Sequence, residues 1–136
     1  MAHEFGTSEY VQALQEAINS HEGYERAARD WEGDFCFVVD KSPGYPEAVR
    51  LYLDLWHGKC REAYRVEGDD DKDPAFVLSA PSTVWQRVLN GQLDPIRGLM
   101  SRQLKLKGNM MQIMKTPKAA IELVAAARTV PTEWPS

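Results

Sequence analysis

The sequence predicts an α+β fold, a five-stranded and mostly antiparallel sheet with helices packed over one face. Three observations lead there. Four segments of period-two alternation follow one another with no helix between them. Turn signals suited to hairpins join them, and segments of helical periodicity are grouped towards both ends of the chain. At 136 residues the chain has the length of one domain.

Taken in order, Tyr10, Val11, Leu14, Ala17 and Ile18 make one apolar helical face from Ser8 onward. Tyr24, Ala27, Ala28 and Trp31 make a second, shorter stripe that Gly33 ends. In "DFCFVVD", Phe35, Phe37 and Val39 point one way and Cys36 and Val38 the other. The clearest strand follows, with Val49, Leu51, Leu53 and Leu55 on one side and Arg50, Tyr52, Asp54 and Trp56 opposite. Either His57-Gly58 or Gly58-Lys59 can supply the turn into a return strand, "REAYRV". "AFVLSA" is the fourth strand.

Helix punctuation then returns. Thr83 with Gln86 has the spacing of a capping box, and Gly91 is a C-terminal stop. Asp94 caps a helix that carries Pro95 at its first position. "QLKLKG" is a fifth short strand with Leu104 and Leu106 inward and Lys105 and Lys107 outward. Asn109 caps "MMQIMK", and Thr116-Pro117 begins a last helix. Residues 1–7 are set aside as disordered or added for expression, 8–128 form the domain, and 129–136 are a tail without a pattern.

Most function classes find no support. The net charge of −4 disfavours a nucleic-acid partner, which needs a basic field. No apolar run is long enough to span a membrane, and the first residues lack the order of a signal peptide. With two cysteines, Cys36 and Cys60, both expected as thiols, the expected location is the cytoplasm. An EF-hand register from Asp69 puts Pro74 at the glycine position and Ala80 at the bidentate carboxylate, so this acidic run reads as a solvated loop. His57 and Cys60 have no second pair to complete a zinc site. Asp30 and Glu32 form a possible carboxylate pair that a helix end explains equally well. There is no nucleophile elbow and no glycine-rich phosphate loop, so neither an enzyme nor a cofactor is expected.

What remains is an apolar inventory in the second half, with Met100, Met110, Met111 and Met114 close together among Trp85, Leu89 and Leu99. Methionine adapts to irregular shapes and is over-used where varied apolar partners bind. A filled core and an adaptable ligand cavity both account for it.

Two stretches resemble a known family. "VWQRVLNGQLDPIRGLMSRQLKLKGNM" is similar to the signature region of the sterol carrier protein type 2 domain: a helix ending at Gly91, then Asp94-Pro95, Leu99-Met100, the strand Leu104 to Lys107, and Gly108-Asn109. "AINSHEGYERAARDWEGDFCFVV" is similar to the opening of stand-alone microbial members through Asn19, Tyr24, Ala27-Ala28, Trp31 and Gly33. The resemblance runs from Ser8 to Ala127. It departs at Arg102-Gln103, where the family usually has Gly-Lys, and the eukaryotic peroxisomal tripeptide is missing.

This resemblance implies an apolar tunnel between sheet and helices. It implies non-catalytic binding, and transfer, of fatty acids, fatty acyl-CoA or sterol-like ligands. On that template Trp85, Leu89, Leu99, Met100, Leu104, Leu106, Met110, Met111 and Met114 are the ligand-binding candidates. Arg102, Lys105 and Lys107 are candidates for a head group, although alternation puts both lysines on the wet face. Transient membrane contact accompanies this reading. The alternative is an interaction module, or a homodimer, docking through a methionine-rich surface over a filled core.

Overall fold

The computed structural model describes residues 2–68 and 73–134. In chain order the elements are β1 (His3–Glu4), α1 (Ser8–Asn19), α2 (Glu22–Ala27), β2 (Phe35–Asp40), β3 (Val49–Trp56), β4 (Lys59–Arg65) and β5 (Phe76–Pro81). There follow α3 (Ser82–Leu89), α4 (Pro95–Met100), β6 (Lys105–Lys107), α5 (Met110–Met114), α6 (Pro117–Arg128) and β7 (Thr132–Glu133). The α+β class stands, with a five-stranded sheet in the order β4-β3-β2-β5-β6. Residues Asp69 to Lys72 of the acidic run considered for calcium lie outside the described residues.

The strands β2, β3 and β4 form an antiparallel meander. His57 at φ 50° and Gly58 at φ 80° turn β3 into β4, as a tight hairpin requires. A Cβ at Gly58 would fall 2.7 Å from the carbonyl oxygen of Glu25, so the turn needs glycine for space as well as for its backbone angle. One pairing departs from simple hairpin order: β5 lies parallel to β2, with Phe35 opposite Phe76 and Phe37 opposite Leu78. The β3–β4 hairpin occupies the far side of β2, which leaves the near side for β5. Antiparallel pairing then resumes between β5 and β6.

Asp34 ties this arrangement together at the start of β2. One carboxylate oxygen accepts the Tyr52 hydroxyl at 2.7 Å and the other accepts the Ala75 amide at 2.7 Å. A single side chain therefore links the entries to β2 and β5 with the middle of β3.

The helices cover the face carrying Leu51, Leu53 and Leu55, all buried. Helix α1 runs beside β4 and hides that edge of the sheet. Gln12 and Gln15 donate side-chain bonds to the carbonyls of Ala63 and Cys60, and Asn19 both donates to Cys60 O and accepts from Cys60 N. Helix α6 packs against α1, α2, α3, α4 and α5 and is the centre of the helical layer. On the other face Cys36 and Tyr52 are nonetheless buried, with Tyr52 and Tyr64 packed ring to ring at 5.1 Å.

Two of the predicted caps form: Asp94 accepts from the amides of Ile96 and Arg97, and Asn109 from Gln112. The Thr83–Gln86 box does not. Helix α3 starts two residues earlier, with Pro81 at the cap position, and the Ser82 amide donates to Ser42 Oγ at 3.1 Å, so the cap comes from the β2–β3 loop. A local spacing rule cannot see a cap supplied from forty residues away.

The chain ends also differ from the sequence reading. Strands β1 and β7 pair in parallel, Phe5 is buried and stacks near Trp134 at 4.3 Å, and the Tyr45 hydroxyl donates to Phe5 O at 2.7 Å. Two residues per strand make too short a run for periodicity to register.

Candidate functional site

Two apolar cavities lie between the sheet and the helical layer. The first, of about 80 Å³, has Phe35, Phe37, Leu55 and Leu78 from the sheet as its floor. Helix α6 roofs it with Ala119, Ala120, Leu123 and Val124. The second, of about 70 Å³, reaches toward the chain ends, between Phe5, Tyr10 and Leu14 on one side and Leu51, Leu53 and Ala127 on the others. They share Phe37, Trp85, Val88, Leu123 and Val124 as a common wall. No charged side chain lines either one.

The floor follows from strand alternation. Phe35, Phe37 and Leu78 are inward positions of paired strands, and Phe35 packs on Phe76 with ring centroids 4.8 Å apart. Gaps arise because bulky rings here face a helix rich in alanine. Polar atoms near the cavities are spoken for: the Trp31 indole donates to Gly33 O at 2.9 Å and the Trp85 indole to Val38 O at 3.0 Å. Burial pushes the hydroxyls of Tyr24 and Tyr10 well above the usual tyrosine range, so both stay neutral. Such a lining recognises hydrocarbon by shape and offers no charge to a polar ligand.

Not all the lining is sealed. In the first cavity the half-buried lining residues are Pro95 on α4, Thr116 between α5 and α6, Ala120, Leu123 and Val124 on α6, and Phe37 on the floor. Solvent therefore approaches through the seam between α4, α5 and α6.

The sequence candidates divide. Trp85, Leu99 and Leu104 line the first cavity, and Leu89 lines the second. Leu106, Met110 and Met114 are half-buried against the core without lining either cavity. Met100 and Met111 are 72% and 65% exposed and line neither cavity: these two of the four candidate methionines face solvent. Helix phase explains it, since Gly98 and Leu99 hold the buried side of α4 and Ile113 that of α5. Sequence reasoning missed Phe5, Tyr24, Trp31, Leu123 and Val124. Phe35 and Phe37 were legible as one face of a strand but were not assigned to the site, and Leu78 was given no face.

Catalytic and metal candidates have other partners. His57 bonds Glu32 at 2.7 Å and stacks on Trp56. Burial pushes the Cys60 thiol up to about 12 and raises that of Cys36 as well, which keeps both unreactive. Among the described residues no three His, Cys, Asp or Glu side chains gather to hold a metal, and no helix is long and apolar enough to cross a membrane.

The fold and its cavities define a small α+β protein built around apolar voids. A family model, the SCP-2 sterol transfer family, matches residues 11–120, and the chain belongs to that family. Its family is one of lipid binding and transfer. Among solved structures it is similar to a crystal structure of sterol carrier protein 2, at 40% identity and a TM-score of 0.85, covering 93% of this chain and 99% of that one. It is also similar to a conserved hypothetical protein, possibly a sterol carrier protein, from Thermus thermophilus, at 38% identity and a TM-score of 0.84, covering 98% and 94%. Sterol carrier protein 2 from Yarrowia lipolytica, in its apo form, shares the fold at 19% identity and a TM-score of 0.57, covering 86% and 88%. No curated protein sequence matches this chain.

Proposed function

We infer that this protein binds one slender lipid chain in the two adjoining cavities and carries it without chemical change. The observation that supports this reading is the shared wall of Phe37, Trp85, Val88, Leu123 and Val124, which separates two voids lined without charge. Displacing that wall joins them into a tunnel. Each buried methylene contributes about 0.8 kcal/mol, so a fatty acyl chain reaches micromolar affinity with few polar contacts.

Size narrows the ligand. A dry cavity of ~150 Å³ accepts a benzene ring, and the first void here has about half that volume. Uptake therefore requires the roof to move, and a flexible acyl chain demands less movement than a rigid sterol. Of fatty acid, fatty acyl-CoA and sterol-like ligands, the acyl compounds fit best. Helix α6 is the element that yields, because its cavity face is largely alanine. Two buried thiols suit a reducing compartment, and we place the protein in the cytoplasm.

The test is native mass spectrometry of the purified protein, followed by displacement of a fluorescent fatty acid. Saturable one-to-one binding supports the reading. Absence of both a co-purified lipid and saturable binding removes it.

A further inference from the structure

Residues 95–121 contain six basic side chains and no acidic one, so the remainder of a chain of net charge −4 carries −10. All six, Arg97, Arg102, Lys105, Lys107, Lys115 and Lys118, are exposed. Outside this stretch Arg26, Lys59, Arg61 and Arg65 are each paired with a carboxylate, while Arg29, Lys41, Arg50, Arg87 and Arg128 are scattered singly without one; none of the six takes part in an ion pair among the described residues. The flanking carboxylates are also engaged: Asp94 caps α4 and Glu122 holds His21. The positive field of this stretch is not neutralised from within.

The same stretch holds most of the exposed apolar bulk. Among the described residues the large exposed hydrophobics are Met100, Met111, Ile121 and Trp56, and the first three lie here. Trp56 is covered in part by the Arg61 guanidinium, 4.6 Å from its ring centre. Met100 and Met111 project from the two short helices on either side of β6, the last strand of the sheet. Helices α4 and α5 both pack on α6 and frame the seam through which solvent approaches the first cavity.

Exposed methionines set among unpaired cations fit one environment in particular. An anionic surface attracts the cations, and its acyl boundary accepts flexible apolar side chains. A duplex nucleic acid would meet the charge and leave the methionines in water. We propose that α4, β6, α5 and the start of α6 form a docking face for an anionic lipid bilayer. The acidic remainder of the molecule is repelled by the same surface, so the protein lands with this face down. A lipid chain then passes between bilayer and cavity without crossing bulk water. Docking itself rests on charge and exposure alone; only its use for loading rests on the carrier reading.

The experiment is co-sedimentation with vesicles of phosphatidylcholine alone and of phosphatidylcholine mixed with phosphatidylglycerol. The native protein is expected to sediment with the mixed vesicles only, and to be released by molar salt. Lys115→Gln with Lys118→Gln is expected to weaken vesicle binding about 30-fold, at about fivefold for each charge near the surface. Met100→Ser with Met111→Ser, which alters no ion pair or cavity wall, is expected to weaken it with the thermal midpoint and circular dichroism unchanged. Solution uptake of a fluorescent fatty acid is read in parallel. Uptake retained by the methionine variant, with docking lost, separates this face from the cavity. Docking without any uptake by the native protein would remove the carrier reading and leave this one standing. Equal binding to both vesicles, no binding to either, unchanged binding by both variants, or equally tight binding to duplex DNA would each overturn the proposal.

Discussion

Phe37 and Trp85 meet edge to face between the two cavities, with ring centroids 5.8 Å apart and planes at 81°, and each ring borders both voids. The Trp85 indole is held by its bond to Val38 O, while Phe37 has no polar tether and is only half-buried. Phe37, stacked on Phe35 at 5.3 Å, is therefore the half of the pair held by packing alone, and it stands between one space and the other.

Replacing it by alanine is expected to merge the voids. Phe37→Ala should cost about 2–3 kcal/mol in urea unfolding, below the ~3–5 of a fully buried phenylalanine. The preferred chain length in a displacement series should rise by several carbons. An unchanged chain-length profile in a folded variant would mean that the ligand never crosses this wall.

Filling the shared wall should do the opposite. Leu123→Trp adds bulk to both cavities from α6 and is expected to lower fatty-acid affinity at least tenfold, at an overpacking cost of about 1–3 kcal/mol. Val124→Phe, one residue along, gives the same test with less added volume. Fluorescence displacement on protein shown folded by circular dichroism reads the result.

The turn between α4 and β6 carries a strained residue. Arg102 sits at φ 64° and donates its amide hydrogen to Leu99 O at 3.2 Å. A left-handed non-glycine residue costs about 1–2 kcal/mol, and glycine returns part of that as unfolded-state entropy. Arg102→Gly is expected to stabilise the fold by a net ~0.5 kcal/mol, read as a raised urea midpoint with the slope unchanged. A lowered midpoint would show that the arginine side chain holds the turn.

Alkaline pH should destabilise the fold. Above about pH 9 the unfolded chain loses its Cys60 proton, whereas the native thiol, pushed up to about 12 by burial, keeps it. The native state then binds more protons, so stability falls as pH rises through this window. Tyr10 and Tyr24, raised by burial above the tyrosine value of 10.0, add to the fall beyond that pH. Thermal midpoints measured from neutral pH upward should decline in this range. Iodoacetamide should label both cysteines only in denaturant.

Much of this was legible in the sequence because it rests on local chemistry. Val49 to Trp56 alternates cleanly and forms β3 with those bounds, and His57-Gly58 makes the turn. Pro95 after Asp94 marks the start of α4, and Trp85, Leu99 and Leu104 reach the cavity. Other features depend on what lies across space. Nothing in "AFVLSA" shows that it pairs parallel to β2, because inward alternation is the same whichever neighbour a strand takes. The cap that Ser42 supplies to Ser82 and the pairing of His3–Glu4 with Thr132–Glu133 are long-range in the same sense.

The methionines carry the sharper lesson. Composition placed them near the site, and helix phase turned Met100 and Met111 outward while Leu99 and Ile113 turned in. In helices of six and five residues, one apolar face is too short for periodicity to separate lining from surface.

The most direct test of the carrier reading uses the tryptophans as reporters. Trp31 and Trp85 line the first cavity, and Trp56 and Trp134 line neither. In a Trp56→Phe, Trp134→Phe protein, a fatty acid brominated along its chain should quench the remaining fluorescence and saturate at one equivalent. Binding of the same fatty acid without quenching would place the ligand outside the cavities and contradict the account.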